Sequence, residues 1–456
     1  MAITIQQQPT TPNMSNNDLL FVLTSNKITE AQYQYVCDVY ISGSGTLVQR
    51  IQQQPNPNGK GVFNVGNIFT SNLESDNVWK TAGFATSSEC NKQFIVKFGE
   101  SFASSSTTTP ILYNGITTLT SGSPAKVGDE WYVITDGLVD YPDAVNFNFV
   151  SSSYYTLEPA SDYTDFQYQH NLSNAPLTQK VRENDYLTIA LYNGDMSYPD
   201  SDDVAQDIFY VQIQWYNSAG AQIQNDDFYN IVSNGGAPRT NQPDLWSDAG
   251  VYDAQTNGSR LIHIGVGVQN LVDFGITPPA TWAYYIVNIT GQGDDGQENN
   301  NGVWATLRFD KQEGKCAYNG VRFAWKNEFG VWDYYNFTLQ ETATNNVERS
   351  QYEHNFVPYN TATNSATYNT SRRGATQYVN KVNRVKTANS DWLTQAEADW
   401  LKELFFSTNV FIQDGSDFLP AVVSDATLNE KTNPRTQKVF QYTINYALAN
   451  NLRSRR

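Results

Sequence analysis

The stretch Gln32-Tyr-Gln-Tyr-Val-Cys-Asp-Val-Tyr-Ile-Ser42 decides the fold class of this chain. Side chains of an extended strand point alternately to opposite faces, so one buried face requires an apolar residue at every second position. The stretch has this period of two and predicts a half-buried β-strand. Its apolar face consists of Tyr33, Tyr35, Cys37, Val39 and Ile41.

Similar segments recur along the chain and predict an all-β, multi-domain fold. Residues 1–152 predict an immunoglobulin- or fibronectin-like β-sandwich, because short strand-like segments alternate there with turn residues. These segments are 18–24, 61–68, 94–98, 131–135 and 146–150. Residues 153–302 predict a jelly-roll-like β-sandwich. The longer segments that indicate it are 181–192, 207–216, 260–267 and 282–290.

Residues 303–456 predict a β domain with one packed α-helix at about 394–407. Thr394-Gln-Ala-Glu397 fits a capping box, in which the Thr hydroxyl and the Glu carboxylate each satisfy a backbone N–H at the helix start. An apolar stripe that packs on a sheet follows at Trp400, Leu401, Leu404 and Phe405. Strand-like segments flank this helix at 303–309, 320–325, 331–339, 410–412 and 438–446.

The charge of the chain bears on its partners. Asp and Glu number 46 against 29 Lys and Arg, a formal net charge of −17, so we expect no nucleic-acid partner. Residues 341–456 hold 13 Lys and Arg against 11 Asp and Glu, whereas the first 340 residues hold 16 against 35. Two interpretations stay open: a docking contact between an acidic body and a mildly basic end, or two solvated surfaces of different charge.

The cysteines, the N-terminal residues and the apolar segments narrow the expected class of protein. Cys37, Cys90 and Cys316 are odd in number, far apart and without a CxxC pair, so they predict neither a disulfide framework nor a zinc site, and we expect all three to be buried. The N-terminal Met1-Ala-Ile-Thr-Ile predicts no secretion signal, because a basic stretch followed by an apolar run is missing. Apolar segments fall short of the roughly 20 residues that cross a bilayer, and we expect no membrane insertion.

Catalytic and metal-binding patterns do not emerge. His170, His263 and His354 lie far apart and outside known motifs. His263 falls in an apolar strand, where we expect a hydrogen-bonded core position rather than a pH switch. Paired acids at 200–203, 226–227 and 294–295 could bind Ca²⁺, although none has the spacing of a calcium loop. The sequence therefore predicts a protein that is not an enzyme and has no catalytic, cofactor-binding or metal-binding residues.

Aromatic side chains are the stronger functional signal, because Tyr and Trp stack on sugars and anchor protein interfaces. Trp246, in the loop 243–248, and Trp282, beside Pro278-Pro279, are the candidate surface-contact aromatics. For Trp246 a plain packing role stays open. The other Trp of strand segments are expected in the core, among them Trp215, Trp304 and Trp325.

Three parts of the chain resemble structural proteins of tailed bacteriophages. They are Tyr35-Val-Cys-Asp-Val-Tyr-Ile41 with Gly61-Val-Phe-Asn-Val65 and Phe94-Ile-Val-Lys-Phe-Gly-Glu100, then Pro176-Leu-Thr-Gln-Lys-Val-Arg-Glu-Asn-Asp-Tyr-Leu-Thr188, then Gly330-Val-Trp-Asp-Tyr-Tyr-Asn-Phe-Thr338. The C-terminal region also looks like the single-helix β-barrels of phage tail-tube and distal-tail rings. The resemblance implies a tail, baseplate, collar or fibre component, synthesised in the host cytoplasm and located in the virion. It supplies no functional residues.

The leading hypothesis is thus a non-enzymatic virion structural protein without a cofactor. It forms homo-oligomers, contacts other virion proteins, and has attachment to a host surface glycan or protein as a further candidate role. Two alternatives stay open. One is a carbohydrate-binding adhesin with its sugar site within residues 154–300, and the other is a depolymerase of envelope polysaccharide, which needs two carboxylates across a cleft.

Overall fold

The computed structural model describes residues 3–9, 13–41, 45–87, 89–103, 105–106, 111–113, 130–135, 137, 172–192, 208–229, 261–291, 303–313, 320–353, 359–366, 374–425, 440–450 and 454–455. Across these ranges the secondary structure is mostly β, which confirms the all-β prediction. The chain divides into two compact units. The first comprises Met1–Gln312 with Lys326–Asp333, and the second comprises Glu313–Trp325 with Tyr334–Arg456.

The elements up to residue 312 are seventeen strands and two short helices, counted over the described residues. The helices are α1 (Gly66–Thr70) and α2 (Val268–Phe274). The strands are β1 (Ile3–Gln7), β2 (Asn13–Met14), β3 (Leu20–Ser25), β4 (Ala31–Ile41), β5 (Leu47–Gln53), β6 (Gly61–Asn64), β7 (Phe84–Thr86), β8 (Asn91–Ala103), β9 (Ile111–Tyr113), β10 (Glu130–Thr135), β11 (Thr178–Val181), β12 (Thr188–Tyr192), β13 (Ile208–Tyr216), β14 (Gln222–Tyr229), β15 (Leu261–Gly265), β16 (Tyr284–Gly291) and β17 (Val303–Lys311).

The first sandwich encloses its core between two sheets, of order β1-β3-β6 and β2-β10-β8-β4-β5, with β9 beside β8. One hydrophobic cluster contains residues of both sheets. Tyr35 and Cys37 of β4 are fully buried in it, as the period of two predicts. The opposite face of β4 is also covered, because buried Asp38 there pairs with Arg50 of β5 at 2.6 Å.

A second pair of sheets has the orders β12-β15-β7 and β11-β17-β16-β13-β14. The ring centroids of Phe84 in β7 and Phe228 in β14 lie 5.2 Å apart, so the two sheets share a core. β7 comes from the first third of the chain, yet it pairs antiparallel with β15. The predicted ranges 1–152 and 153–302 thus contribute to one sheet. Residues 152, 153 and 302 at the predicted boundaries lie outside the described residues, so the three-domain division stays a prediction.

The pairing of β7 with β15 depends on a glycine. The amide of Gly265 donates to the carbonyl of Gly83 at 2.8 Å. A Cβ at Gly265 would overlap the carbonyl oxygen of Thr81. Because only hydrogen fits there, the backbones approach closely at the end of β15.

The remaining elements form a second β region with one helix, α3 (Gln395–Phe406). The strand order of its main sheet is β19-β18-β24-β25-β26-β23-β20, with β27 beside β23, and β21 and β22 form a separate hairpin. The strands are β18 (Val321–Lys326), β19 (Trp332–Phe337), β20 (Thr342–Glu353), β21 (Tyr359–Asn360), β22 (Ser365–Ala366), β23 (Ala375–Asn389), β24 (Val410–Asp414), β25 (Asp417–Val423), β26 (Thr443–Leu448) and β27 (Ser454–Arg455).

Helix α3 confirms the sequence prediction of a packed helix. The Thr394 hydroxyl accepts from the Glu397 amide at 3.3 Å, and the Glu397 carboxylate accepts from the Thr394 amide at 2.8 Å, so the capping box is complete. Trp400, Leu401 and Leu404 of the apolar stripe are buried and Phe405 is half-buried. The Trp400 ring lies 5.2 Å from that of Trp325 and 5.9 Å from that of Tyr335. Burial of this stripe holds the helix on the sheet.

Candidate functional site

The most exposed regular structure in the described part of the chain is a two-stranded ribbon. β20 pairs with β23 from Thr342 opposite Thr387 to Glu353 opposite Ala375. β26 covers β23 only over residues 386–389. Residues 343–353 and 375–385 extend beyond this cover, and we call them the arm. At about 3.3 Å per residue the arm is about 35 Å long.

Every residue of β20 is exposed. This pattern differs from an ordinary antiparallel strand, in which one face packs on a core. The only further strand beside the arm in the described residues is the two-residue β27, opposite Asn380 and Lys381 of β23. A two-stranded ribbon alone is marginally stable in water, so a partner surface would stabilise the arm.

One face of the arm is basic. Residues directly opposite in an antiparallel pair share a face. Asn345 stands opposite Arg384, Val347 opposite Val382, and Arg349 two positions further along β20 on the same face. Arg349 and Arg384 are both exposed. Over the paired residues 343–349 and 380–386 this face holds no carboxylate, and Glu353 follows on the same side of β20 beyond the irregularity at Ser350/Gln351.

Aromatic side chains add an apolar contact area towards the distal end of the arm. The rings of Tyr352 and Tyr378 lie 6.0 Å apart on neighbouring strands, 51% and 54% exposed. Tyr359 of the short hairpin between β20 and β23 is 62% exposed. Exposed Tyr side chains are enriched at protein interfaces.

The charge of the arm opposes that of the rest of the chain. The arm holds three Lys and Arg against two Glu, and the whole range 342–389 holds six against two, whereas residues 101–300 hold five against 24 Asp and Glu. The docking interpretation of the charge asymmetry stays a prediction.

A second polar surface lies on the outer face of the five-stranded sheet. The rings of Tyr216 and Tyr284 stack at 4.8 Å and 5°, and the Arg308 guanidinium lies 3.9 Å from the Tyr284 centroid. Beside them, Asn288 donates to Gln212 at 3.4 Å and accepts from the Thr306 hydroxyl at 2.9 Å. Stacked aromatics next to amides are suited to sugar contact. Sequence reasoning missed them because they occupy the polar positions of their strands.

The expectation that Trp282 is a surface-contact aromatic is wrong. It is only 4% exposed, because its ring packs edge-on against Trp215 at 5.5 Å and Tyr285 at 5.7 Å. Lys311 covers the ring with its ammonium group 4.8 Å from the centroid. The turn after the two prolines thus closes over the core. Trp246 lies outside the described residues.

The remaining tryptophans of strand segments agree with the expected core role where their side chains are described. Trp215 and Trp325 are fully buried. The side chain of Trp304 lies outside the described part of the structure. Cys37 and Cys90 are buried, as expected, and Cys316 lies outside the described residues.

His263 is buried in β15 without a hydrogen-bond partner on either ring nitrogen. The expectation of a core position is confirmed, and the expectation of a hydrogen bond is wrong. Burial lowers the pKa of His263 to about 4, Asp76 opposes this shift, and Lys326 adds to it. Its strand neighbours on the two sides are Ala85 and Ala190, which offer no polar side chain.

The polar groups near His263 satisfy one another. Asp76 accepts from the Ser87 hydroxyl and from the Cys90 amide at 3.3 Å, and the Lys326 ammonium donates to the Ser75 hydroxyl at 2.9 Å. His263 itself bonds neither the hydroxyl of Ser87 nor the thiol of Cys90. These described residues therefore do not form the hydrogen-bonded nucleophile and base of covalent catalysis.

Three further observations limit the site. Within the described ranges, no three His, Cys, Asp or Glu side chains group closely enough to hold a metal ion. None of the described helices is long and apolar enough to cross a bilayer. No protein-family model matches the chain, and no curated protein matches it either. His170, His354 and the paired acids at 200–203 and 294–295 lie outside the described residues.

Proposed function

We propose that this chain is a structural protein of a tailed-phage particle that acts through protein–protein contacts rather than catalysis. The arm is the observation that carries the proposal. A ribbon exposed at every residue of β20 contributes little to the core of its own chain. In an assembly, the same ribbon would bury its Tyr and Arg side chains against a neighbour.

The resemblance to phage structural proteins is the reason for proposing a phage particle, and the β-sandwich architecture is compatible with it. Many copies held in a symmetric assembly need only modest contacts each, because symmetry repeats them and avidity multiplies their effect. The proposed location is the virion, with other virion proteins as further partners.

The proposal is tested by the composition of purified particles. Particles of the phage that encodes this chain are purified on a density gradient, and their proteins are identified by mass spectrometry. We expect peptides of this chain in the particle band at a constant ratio to the other structural proteins. Their absence from intact particles, with the protein found in the soluble lysate instead, would sink the proposal.

A carbohydrate-binding adhesin is the second candidate, because the stacked Tyr216 and Tyr284 lie on the polar face of one sheet beside Arg308. It predicts that the full chain binds glycans on an array and that Tyr284→Ala removes this binding. Tyr359→Ala, which changes an exposed Tyr of another surface, is the matched control. Equal binding by both variants would place any sugar site elsewhere.

A further inference from the structure

We infer that β20 of the arm pairs antiparallel with β20 of a second copy of this chain, with Val347 of the two copies opposite each other on a two-fold axis. The inference rests on the proposed function and names the partner of the arm. The contact surface is β20 itself, whose 12 residues, Thr342–Glu353, are all exposed. The resulting ribbon has the strand order β23-β20-β20-β23.

The outer edge of β20 is open to such pairing. β20 is the last strand of its sheet among the described residues. Because β23 occupies one edge from Thr342 to Glu353, the backbone groups of alternate residues point away from β23 and are a template for a strand of another chain. Proteins often protect an edge by short length, by proline or by a bulge. β20 is 12 residues long and has no proline, and its irregular pairing inserts Tyr378 into β23 rather than a residue into β20.

A two-fold axis limits the registers in which two copies of one strand can pair. Directly opposite residues of an antiparallel pair share a face, whereas side chains alternate between faces along a strand. The axis therefore passes a residue that faces its own copy, and this central residue defines the register. The contacts around it are reciprocal, since residue i faces residue j and residue j faces residue i.

The charges of β20 favour the register centred on Val347. A centre at Glu348 or Arg349 would place like charges directly opposite each other, which is destabilising. A centre at Val347 instead pairs two β-branched side chains and places Arg349 opposite Asn345. The two Glu348 residues are then diagonal neighbours, about 7–8 Å apart. Centres nearer to either end of β20 pair fewer residues, so Val347 combines a long overlap with the absence of directly opposed like charges.

Pairing in this register stabilises the arm. In the dimer each β20 has a hydrogen-bonded strand on both edges, which satisfies backbone groups that are otherwise left to water. One strand pair buries less surface than the roughly 1,600 Å² of a standard interface, so we expect two chains in solution to associate weakly. Repetition of the contact among many copies in a particle would strengthen it.

The first experiment places a charge at the two-fold axis. Full-length chains with Val347→Lys or Val347→Glu are compared with the wild type by sedimentation velocity over a concentration series. Val382→Lys is the matched control, because Val382 stands opposite Val347 on β23 and adds the same charge to the same face. In the dimer its two copies are three strand spacings apart, about 14 Å. Thermal unfolding of each variant shows whether the fold is kept.

Each Val347 variant should associate about tenfold more weakly than the wild type, because like charges then face each other across the axis. An equal mixture of the two variants should regain association, because Lys then faces Glu. Val382→Lys should associate as the wild type does. A wild type that is monomeric at every concentration overturns the inference. So does a mixture that associates no better than its components, or a control that is weakened as much as Val347→Lys.

The second experiment determines the register without a change of charge. Full-length chains with Thr344→Cys and with Ser350→Cys are oxidised with diamide, separately and as a mixture, and linked peptides are identified by mass spectrometry. In the register centred on Val347, Thr344 of one copy faces Ser350 of the other. Each of these residues lies about 20 Å from its own counterpart. Links through the native cysteines are recognised by their peptides.

We expect a disulfide between positions 344 and 350 in the mixture and no link through either position in the separate samples. Links in the separate samples, or none in the mixture, overturn the inference. The particle test is independent of both experiments. A chain present in particles whose Val347 variants associate as the wild type does keeps the proposed function and refutes the pairing. A chain absent from particles refutes the function, and the two mixtures still decide the pairing.

Discussion

Acidification should destabilise the fold through His263. Above about pH 6.5 the imidazole is neutral in both the folded and the unfolded state. Between about pH 6.5 and about pH 4 the unfolded chain binds a proton that the folded chain excludes, so the free energy of unfolding falls as the pH falls. Below about pH 4 both states are protonated and this loss is complete.

The magnitude follows from the pKa. Its fall from the ordinary value of 6.5 to about 4 on burial corresponds to about 3 kcal/mol, at about 1.4 kcal/mol for each tenfold change in proton affinity. Asp76 and Lys326 are the charged groups that act on the ring, with opposite signs, and desolvation exceeds both. At neutral pH His263 destabilises the folded state only through its two ring nitrogens, which are buried without hydrogen-bond partners. Their desolvation costs about 1 kcal/mol or more.

The assay is denaturant unfolding of the wild type, His263→Leu and His263→Gln at several pH values between about 7 and about 4. The same carboxylates are present in all three chains, so the difference between chains reports the contribution of His263. We expect both variants to lose about 3 kcal/mol less than the wild type over this range, and His263→Leu to equal or exceed the wild type at neutral pH. Parallel pH profiles of all three chains would refute the reasoning.

Three other substitutions have expected effects on thermal unfolding. Thr394→Ala should cost about 1 kcal/mol by removing the capping box, with Thr394→Ser nearly neutral; equal losses would exclude the hydroxyl as the cause. Arg50→Ala should lower the free energy of unfolding by about 3 kcal/mol, because it leaves the carboxylate of Asp38 buried without its cation. A decrease below about 1 kcal/mol, which is typical of an exposed ion pair, would contradict this. Asn270→Ala should cost about 2 to 4 kcal/mol, since Asn270 accepts from the amide of Leu187 and donates to the carbonyls of Trp79 and Thr81; a neutral result would mean that water replaces these bonds.

Local patterns of the sequence predicted the elements whose signal is local. The capping box and apolar stripe at 394–407 predicted α3 within a residue at each end. The period of two at Tyr33 to Val39 predicted the buried face of β4. In both cases the residues that define the element also bury its core face, so composition and spacing suffice.

Other elements could not be predicted from local sequence patterns. β20 was missed, because both its faces are exposed and no alternation of apolar and polar residues arises. The signal that remained was the charge balance of residues 341–456, which differs from that of the first 340 residues and predicted a docking contact as one of two interpretations. The segment 181–192 was expected as one strand, but the structure has β11 ending at Val181 and β12 starting at Thr188. Burial of Trp282 depends on Trp215 and Lys311, which are distant in sequence, as well as on nearby Tyr285. Its neighbours Pro278 and Pro279 do not reveal the distant partners.

The pairing of β7 with β15 has a consequence for synthesis. Phe84–Thr86 leaves the ribosome about 175 residues before its partner Leu261–Gly265. At about 5 to 20 residues per second, this interval lasts about 10 to 35 s. Strands β1, β3, β4, β6 and β8 can already assemble during this time. β7 cannot pair yet, because β15 has not been synthesised. A nascent chain that stalls within the interval would therefore present a folded first sandwich together with an unpaired β7, the form most exposed to chaperones and to premature association with other chains.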